Sequence, residues 1–419
     1  MTFESLGLIS PLLKSVKKQG YNSPSPIQLR TIPIIIEGHD VLASAQTGTG
    51  KTAAFTLPML QKLNQISNKR HRSIRALVLT PTRELADQVY SNIKEYSEFL
   101  DFETTVIYGG VNQKPQVKKL RSGIDVLVST PGRLIDLESQ RHLSLSKVEI
   151  FVLDEADRML DMGFKRDIDK IISLIPSKRQ NLMFSATFSK DIKKLAHTIL
   201  KYPKLINASP ENSMVEAISQ KVFRVSKENK TKLLIKLISD GNWRQVLIFT
   251  RTKHGANKLC EKLINARIPS LAIHGNKSQS ARKKALLSFK KNEIRVLVAT
   301  DIAARGLDIP LLPNVVNFEL PNIPQDYIHR IGRTGRAGAN GIAISLVCAE
   351  ETSYLISIEQ LIKKKLDKEI IKGFEPDLNA STEPPKIGVN RQNRKSRSKK
   401  IKAFSKKKSR KSFKKKFRF

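Results

Sequence analysis

DVLASAQTGTGKT, Asp40 to Thr52, is the stretch that decides the fold. Val41, Leu42 and Ala43 make a short apolar run, the pattern of a strand covered on both faces. A turn carrying Gly48 and Gly50 follows, and Lys51-Thr52 then opens an apolar stretch at helical spacing. Strand, glycine-rich turn and helix in that order predict a phosphate-binding loop over Ala45-Gln46-Thr47-Gly48-Thr49-Gly50-Lys51-Thr52. Gly48 and Gly50 let backbone N–H groups turn toward phosphate oxygens, Lys51 reaches the β and γ phosphates, and the Thr52 hydroxyl suits Mg²⁺. Ala45 stands where the general pattern has glycine.

The chemistry needs a metal holder and a water activator as well. Phe151-Val152-Leu153-Asp154-Glu155-Ala156-Asp157 is an apolar strand ending in carboxylates. Asp154 can hold Mg²⁺, directly or through water, and Glu155 can polarise a water for attack on a γ-phosphate. A helix-capping acidic cluster is the alternative. The cationic group for charge developing on that phosphate is sought in His329-Arg330-Ile331-Gly332-Arg333-Thr334-Gly335-Arg336. On a helical turn Arg333 and Arg336 share a face and can reach into a cleft as arginine fingers. A basic surface helix is the competing reading.

Apolar runs alternate with amphipathic stretches along most of the chain, which is the pattern of parallel α/β units. Strands are predicted at 40–44, 76–80, 104–108, 125–129, 150–153 and 181–185, then at 220–225, 246–250, 270–273, 295–299, 314–318 and 342–347. Tyr202–Glu216, with Pro203 and Pro210, reads as a linker between two α/β domains. The expected division is 1–208, 209–375 and a basic tail at 376–419, whose dense like charge cannot support a packed core.

Charge points the same way. The 419 residues carry 75 Lys plus Arg against 38 Asp plus Glu, a net +37, which calls for a polyanionic partner unless it is only a compositional habit. Residues 384–419 hold 17 Lys plus Arg and no acid, so the tail is expected to grip nucleic acid without regard to sequence. Its Phe404, Phe413, Phe417 and Phe419 could stack on bases. Cys260 and Cys348 lie far apart in apolar runs and read as core residues in a reducing compartment. No apolar run reaches the length of a membrane span and the N-terminus lacks a signal-peptide pattern, so a cytoplasmic location is expected.

Taken together, these motifs resemble the DEAD-box family of ATP-dependent RNA helicases over roughly residues 1–375. Asp154–Asp157 is the family's namesake tetrapeptide, and Ala45–Thr52, Ala45 included, matches its variant of the phosphate loop. Pro81-Thr82-Arg83-Glu84-Leu85-Ala86, Gly109-Gly110, Thr130-Pro131-Gly132-Arg133 and Ser185-Ala186-Thr187 match motifs of the first domain. Arg305-Gly306-Leu307-Asp308 and His329–Arg336 match motifs of the second. The resemblance implies two tandem RecA-like parallel α/β domains, a short linker and a disordered tail, with ATP and Mg²⁺ as cofactors. It implies that Phe3 stacks on adenine and that Gln28, in the segment Gly20–Gln28 with Tyr21, reads adenine's edge. RNA-backbone contacts fall to Pro81, Thr82, Arg83, Gly109, Gly110, Thr130 and Arg133 from the first domain, and to Gln279, Arg282, Thr300 and Asp301 from the second. Ser185 and Thr187 would link hydrolysis to strand separation, Asp308 would meet the ribose or γ-phosphate region, and His329 would couple the domains.

More narrowly the chain looks like the bacterial RhlE type, through stretches such as DRMLDMGF and AIHGNKSQSARKKAL. That type suggests ribosomal precursors or the RNA-decay machinery as partners, and a monomer is expected. The RNA contacts read no base, so sequence preference should be weak. Two other readings stand beside this one: an RNA-binding scaffold with a vestigial ATPase, and a DNA-translocating P-loop helicase. Intact Lys51, Asp154, Glu155 and Arg333 oppose the first, and the adenine-reading segment opposes the second.

Overall fold

A computed structural model describes residues 2–45, 49–65, 72–208, 218–304, 309, 312–334 and 341–377. Two seven-stranded sheets organise them, and every strand pairing is parallel. The first comprises β1 (Val41–Ser44), β2 (Ala76–Leu79), β3 (Thr104–Ile107), β4 (Val126–Ser129), β5 (Ile150–Leu153), β6 (Gln180–Ser185) and β7 (Lys204–Asn207). The second comprises β8 (Ser219–Arg224), β9 (Val246–Thr250), β10 (Ser270–Ile273), β11 (Val296–Thr300), β12 (Asn314–Asn317), β13 (Ile342–Val347) and β14 (Asp367–Glu369).

The orders are β3-β4-β2-β5-β6-β1-β7 and β10-β11-β9-β12-β13-β8-β14. Numbered within its own half, each sheet runs 3-4-2-5-6-1-7, so the architecture occurs twice. Helices cover both faces because the central strands are apolar on both. In β5, Ile150 and Val152 enter one core while Phe151 and Leu153 enter the other. Phe151 is fully buried, and truncating it to alanine would cost about 3–5 kcal/mol.

All twelve predicted strands lie within one residue of their observed bounds. Two observed strands escape the periodicity. β7 lies inside the stretch read as linker, where only Ile206 of its four residues is buried, since an edge strand needs little apolar sequence. Pro203 just before it is tolerated because an edge leaves one row of backbone groups unpaired. β14 is a three-residue edge of charged side chains. Residues 209–217 of the expected linker and 378–419 of the tail lie outside the described residues. Cys260 and Cys348 are buried and free, and among the described residues no helix is long and apolar enough to cross a membrane.

Candidate active site and nucleic-acid interface

At the carboxyl end of β1 the buried Ala45 donates its N–H to the Ser185 carbonyl at 3.1 Å, joining the loop to the end of β6. Gln46, Thr47 and Gly48 lie outside the described residues. Gly50 has φ +92°, and a Cβ there would stand 2.4 Å from Gln28 Nε2, so only glycine fits. Lys51 and the half-buried Thr52 begin the helix Lys51–Gln65. Lys51 is 7% exposed, and its Nζ has no hydrogen-bond partner. A buried ammonium without a partner is costly, which fits a lysine awaiting an anion.

Asp154 and Glu155 emerge from β5 opposite this loop. Burial pushes the Asp154 carboxyl up to about 6, opposed by Lys51 and reinforced by Glu155. Its Oδ1 accepts the Glu155 N–H at 2.9 Å. Glu155 has φ +52°, a strained conformation for a side chain of its size. Burial alone would raise its pKa, but Arg158, Lys51 and Arg333 together hold it below the ordinary value. Arg158, one helical turn on, is paired with Glu155 through Nη1. The carboxylate is thus kept ionised, as an acceptor for a water's proton must be.

Among the described residues no three His, Cys, Asp or Glu side chains gather as a metal cage. Mg²⁺ takes few protein ligands beside phosphate oxygens, so Thr52 with Asp154 fits the ion.

The Ser185-Ala186-Thr187 segment touches both halves of this centre. Ala186 N–H donates to Asp157 Oδ2 at 3.0 Å, Ser44 Oγ donates to the Ala186 carbonyl at 3.2 Å, and Ser185 Oγ accepts the exposed Thr187's N–H at 3.3 Å. At the other end, Gln28 Oε1 accepts Ser25 N–H at 2.9 Å and its Nε2 donates to the Gly50 carbonyl at 3.2 Å. Gln28 therefore braces the phosphate loop. Phe3 is buried in the core, its ring 6.4 Å from that of Tyr21, whose hydroxyl shares a 2.9 Å hydrogen bond with Tyr96.

From the second domain Arg333 and His329 face the same cleft, in a pocket that Arg158 lines from the first. The helix expected to carry both arginines ends at Ile331, and Arg333 sits in the following turn with its N–H on the Arg330 carbonyl. Gly332 ends the helix there, so a shared helical face for Arg333 and Arg336 is not what orients Arg333. Arg336 and Asp308 lie outside the described residues. Asp301, expected at RNA, is held by Arg330 in a bidentate pair at 2.6 and 2.8 Å. Arg330 also reaches Asn317 and the Glu319 carbonyl, so this carboxylate secures a buried guanidinium before it meets any ligand.

The remaining candidates cluster at strand ends. Pro81 and Thr82 are buried, and Thr82 caps the helix Arg83–Tyr96 by accepting the Leu85 N–H at 3.3 Å. Gly110, φ +74°, lies so close to the Arg83 guanidinium that a Cβ would come within 2.2 Å; Gly109 beside it has open space. Thr130 precedes the helix Pro131–Ser139, from which Arg133 donates to the Val111 carbonyl at 3.3 Å and keeps a buried Nη1 unpartnered. Across the cleft Gln279 and Arg282 both meet Glu84, at 2.9 and 3.0 Å, while Thr300 ends β11. Gln279 Oε1 and Arg282 Nε are also buried without partners. Unsatisfied buried polar atoms are uncommon, and these three lie where a sugar-phosphate backbone is expected.

The sequence placed Asp157 and Glu84 within motifs but gave neither a role of its own, and it did not single out Arg158. The i, i+3 spacing of Glu155 and Arg158 was a readable signal. Nothing local marks Glu84 as the contact for the second domain.

Comparison with known proteins agrees with this geometry. The DEAD/DEAH box helicase model matches residues 25–195, and the helicase conserved C-terminal domain model matches 229–338. RhpA of Helicobacter pylori, a DEAD-box ATP-dependent RNA helicase, is 41% identical over 378 residues, 90% of this chain and 75% of that one. CshA of Bacillus subtilis, described in the same words, is 40% identical over 368 residues, 88% and 74% of the two chains. S. cerevisiae Dbp5 bound to RNA and ADP BeF3 superposes with TM-score 0.78 at 32% identity, covering 88% of this chain and 95% of that one. Mss116p bound to ssRNA and AMP-PNP gives 0.80 at 30%, covering 90% and 79%. The protein belongs to the DEAD-box family of ATP-dependent RNA helicases, enzymes that hydrolyse ATP.

Proposed function

We propose that this protein closes its two domains on ATP and RNA together, locally separates a short duplex, and reopens after hydrolysis. One observation carries the reading: the groups for each ligand are divided between domains and meet across the cleft. Arg333 lies close enough to lower the Glu155 pKa, and Gln279 and Arg282 reach Glu84. Closure then assembles both sites at once.

In this reading Lys51 binds the β and γ phosphates, Glu155 accepts a proton from the attacking water, and Arg333, with Arg336, neutralises charge on the γ-phosphate. Thr52 and Asp154 would hold Mg²⁺, which would supply further charge neutralisation. Phe3, Tyr21 and Gln28 select adenine, and Asp308 meets the ribose or γ-phosphate region. Pro81, Thr82, Arg83, Gly109, Gly110, Thr130, Arg133, Gln279, Arg282, Thr300 and Asp301 line the RNA path. Ser185, Thr187 and His329 relay between the sites, a role favoured by the hydrogen bonds that tie residues 185–187 to Asp157 and to the end of β1. A place in ribosome assembly or RNA turnover, in the cytoplasm, as a monomer of the RhlE type, fits the stretches DRMLDMGF and AIHGNKSQSARKKAL.

The test is ATP hydrolysis with and without RNA. RNA should stimulate it, and E155Q should lower kcat by at least about 100-fold while ATP still binds. Equal rates with and without RNA would overturn the coupling, and full activity in E155Q would remove Glu155 from its role.

A further inference from the structure

Because the two sheets share one strand order, each position round the first site has a counterpart in the second domain. β8 corresponds to β1, and the segment after each leads into a helix: Lys51–Gln65 in the first domain, Lys230–Asp240 in the second. Both helices open with Lys-Thr, and both lysines are buried. They differ in what meets the ammonium. Lys51 Nζ has no hydrogen-bond partner, whereas Lys230 Nζ is paired with Glu351 and donates to the Phe318 carbonyl at 2.9 Å.

The surroundings of Glu351 are those of a bound oxyanion. It follows β13, the counterpart of β6, and is 1% exposed. Its Oε1 accepts the Leu320 N–H at 3.0 Å, and its Oε2 takes Lys230 and the Cys348 N–H at 3.3 Å. Arg251, at the end of β9, stands 3.8 Å from Oε1. Two backbone amides, an ammonium and a guanidinium thus converge on one carboxylate. The segment before Lys230 is Ser226-Lys227-Glu228-Asn229, without glycine, and Asn229 has φ −89° where Gly50 has +92°. Such a backbone cannot turn successive amides inward to cradle a polyphosphate.

We propose that Glu351 is a resident anion in the position a phosphate takes in the first domain, and that it closes a duplicate of the ATP site to ligand. Together with the glycine-free segment before Lys230, it confines nucleotide to one half of a duplicated fold. The second half is left to supply Arg333 and its RNA contacts. Removing the Glu351 carboxylate leaves the Lys230 ammonium buried without the acid that now binds it, and opens the pocket to a small oxyanion. The inference rests on Lys51 being the phosphate lysine, a separate claim that loss of ATP binding in K51M tests by itself.

The experiment uses the full chain in a K51M background, so that the first site does not respond. E351A should melt below its parent, and titration with inorganic phosphate should raise its Tm by about 5–10 °C in a saturable way. Chloride at equal ionic strength should not. K230M/E351L removes both charges and should fold without any response to phosphate, since apolar replacement of a buried pair is well tolerated. Equal behaviour of E351A in phosphate and chloride, folded or not, overturns the proposal. So does an equal phosphate response in K230M/E351L.

Discussion

Lys283 and Asp87 form the interdomain contact best suited to a quantitative test. Lys283 lies on the helix Gln279–Lys290 of the second domain and Asp87 on Arg83–Tyr96 of the first. Their ion pair is 2.6 Å long, and Tyr108 joins it: its hydroxyl donates to Asp87 Oδ2 at 3.1 Å and accepts from Lys283 Nζ at 3.3 Å. The side chains are 50% and 23% exposed, so solvent screens most of the Coulomb attraction. A net contribution of about 1 kcal/mol, the upper end for exposed pairs, is appropriate given the phenol. Because the contact exists only when the domains meet, that energy acts on closure, at about fivefold in the closed population.

The perturbation is the cycle D87N, K283M and both together. Each single change should weaken RNA binding about 2–5-fold with a non-hydrolysable ATP analogue, and the double change should be little worse than either alone. Affinity in the ADP state should hardly move, and the differences should shrink as salt rises. Fluorescence anisotropy of a labelled single strand reads all of this. An equal loss in the ADP state, or additive effects in the double variant, would refute the reasoning.

Three further outcomes follow from the geometry. R158M removes the largest influence holding the Glu155 pKa down against burial, so that pKa rises and Glu155 becomes protonated at higher pH; the acid limb of the ATPase profile should move upward, and an unmoved limb would dismiss Arg158. Burial pushes the Cys348 thiol up to about 11, so at pH 8 only about one thiol in a thousand is ionised, and iodoacetamide should label it at speed only after unfolding. Deleting 384–419, with its 17 basic residues, should weaken RNA binding and flatten its dependence on salt while sparing maximal ATPase; an unchanged slope would count against a nonspecific grip.

The sequence by itself determined what depends on neighbours in the chain. Apolar patterning announced twelve of fourteen strands, most plainly in β2 and β5, which are buried on both faces and apolar at every position. The phosphate loop and the Asp154–Asp157 tetrapeptide were legible for a similar reason: each is a short stretch whose chemistry is complete within a few residues. Edge strands β7 and β14 were not legible, since they are half solvated and carry no apolar signature.

Tertiary structure alone decided which partners those groups have. It put Glu84 against Gln279 and Arg282, across 195 residues between Glu84 and Gln279, bound Asp301 to Arg330, and gave the Lys230 ammonium a paired carboxylate while leaving the Lys51 Nζ without a hydrogen-bond partner. The physical reason is that a buried charge is satisfied by whatever the fold brings within about 3 Å of it. Lys51-Thr52 and Lys230-Thr231 are the same dipeptide at the same point in the same topology. The glycine turn before Lys51 is a local difference between them; the side chains that folding sets opposite each lysine are the tertiary one.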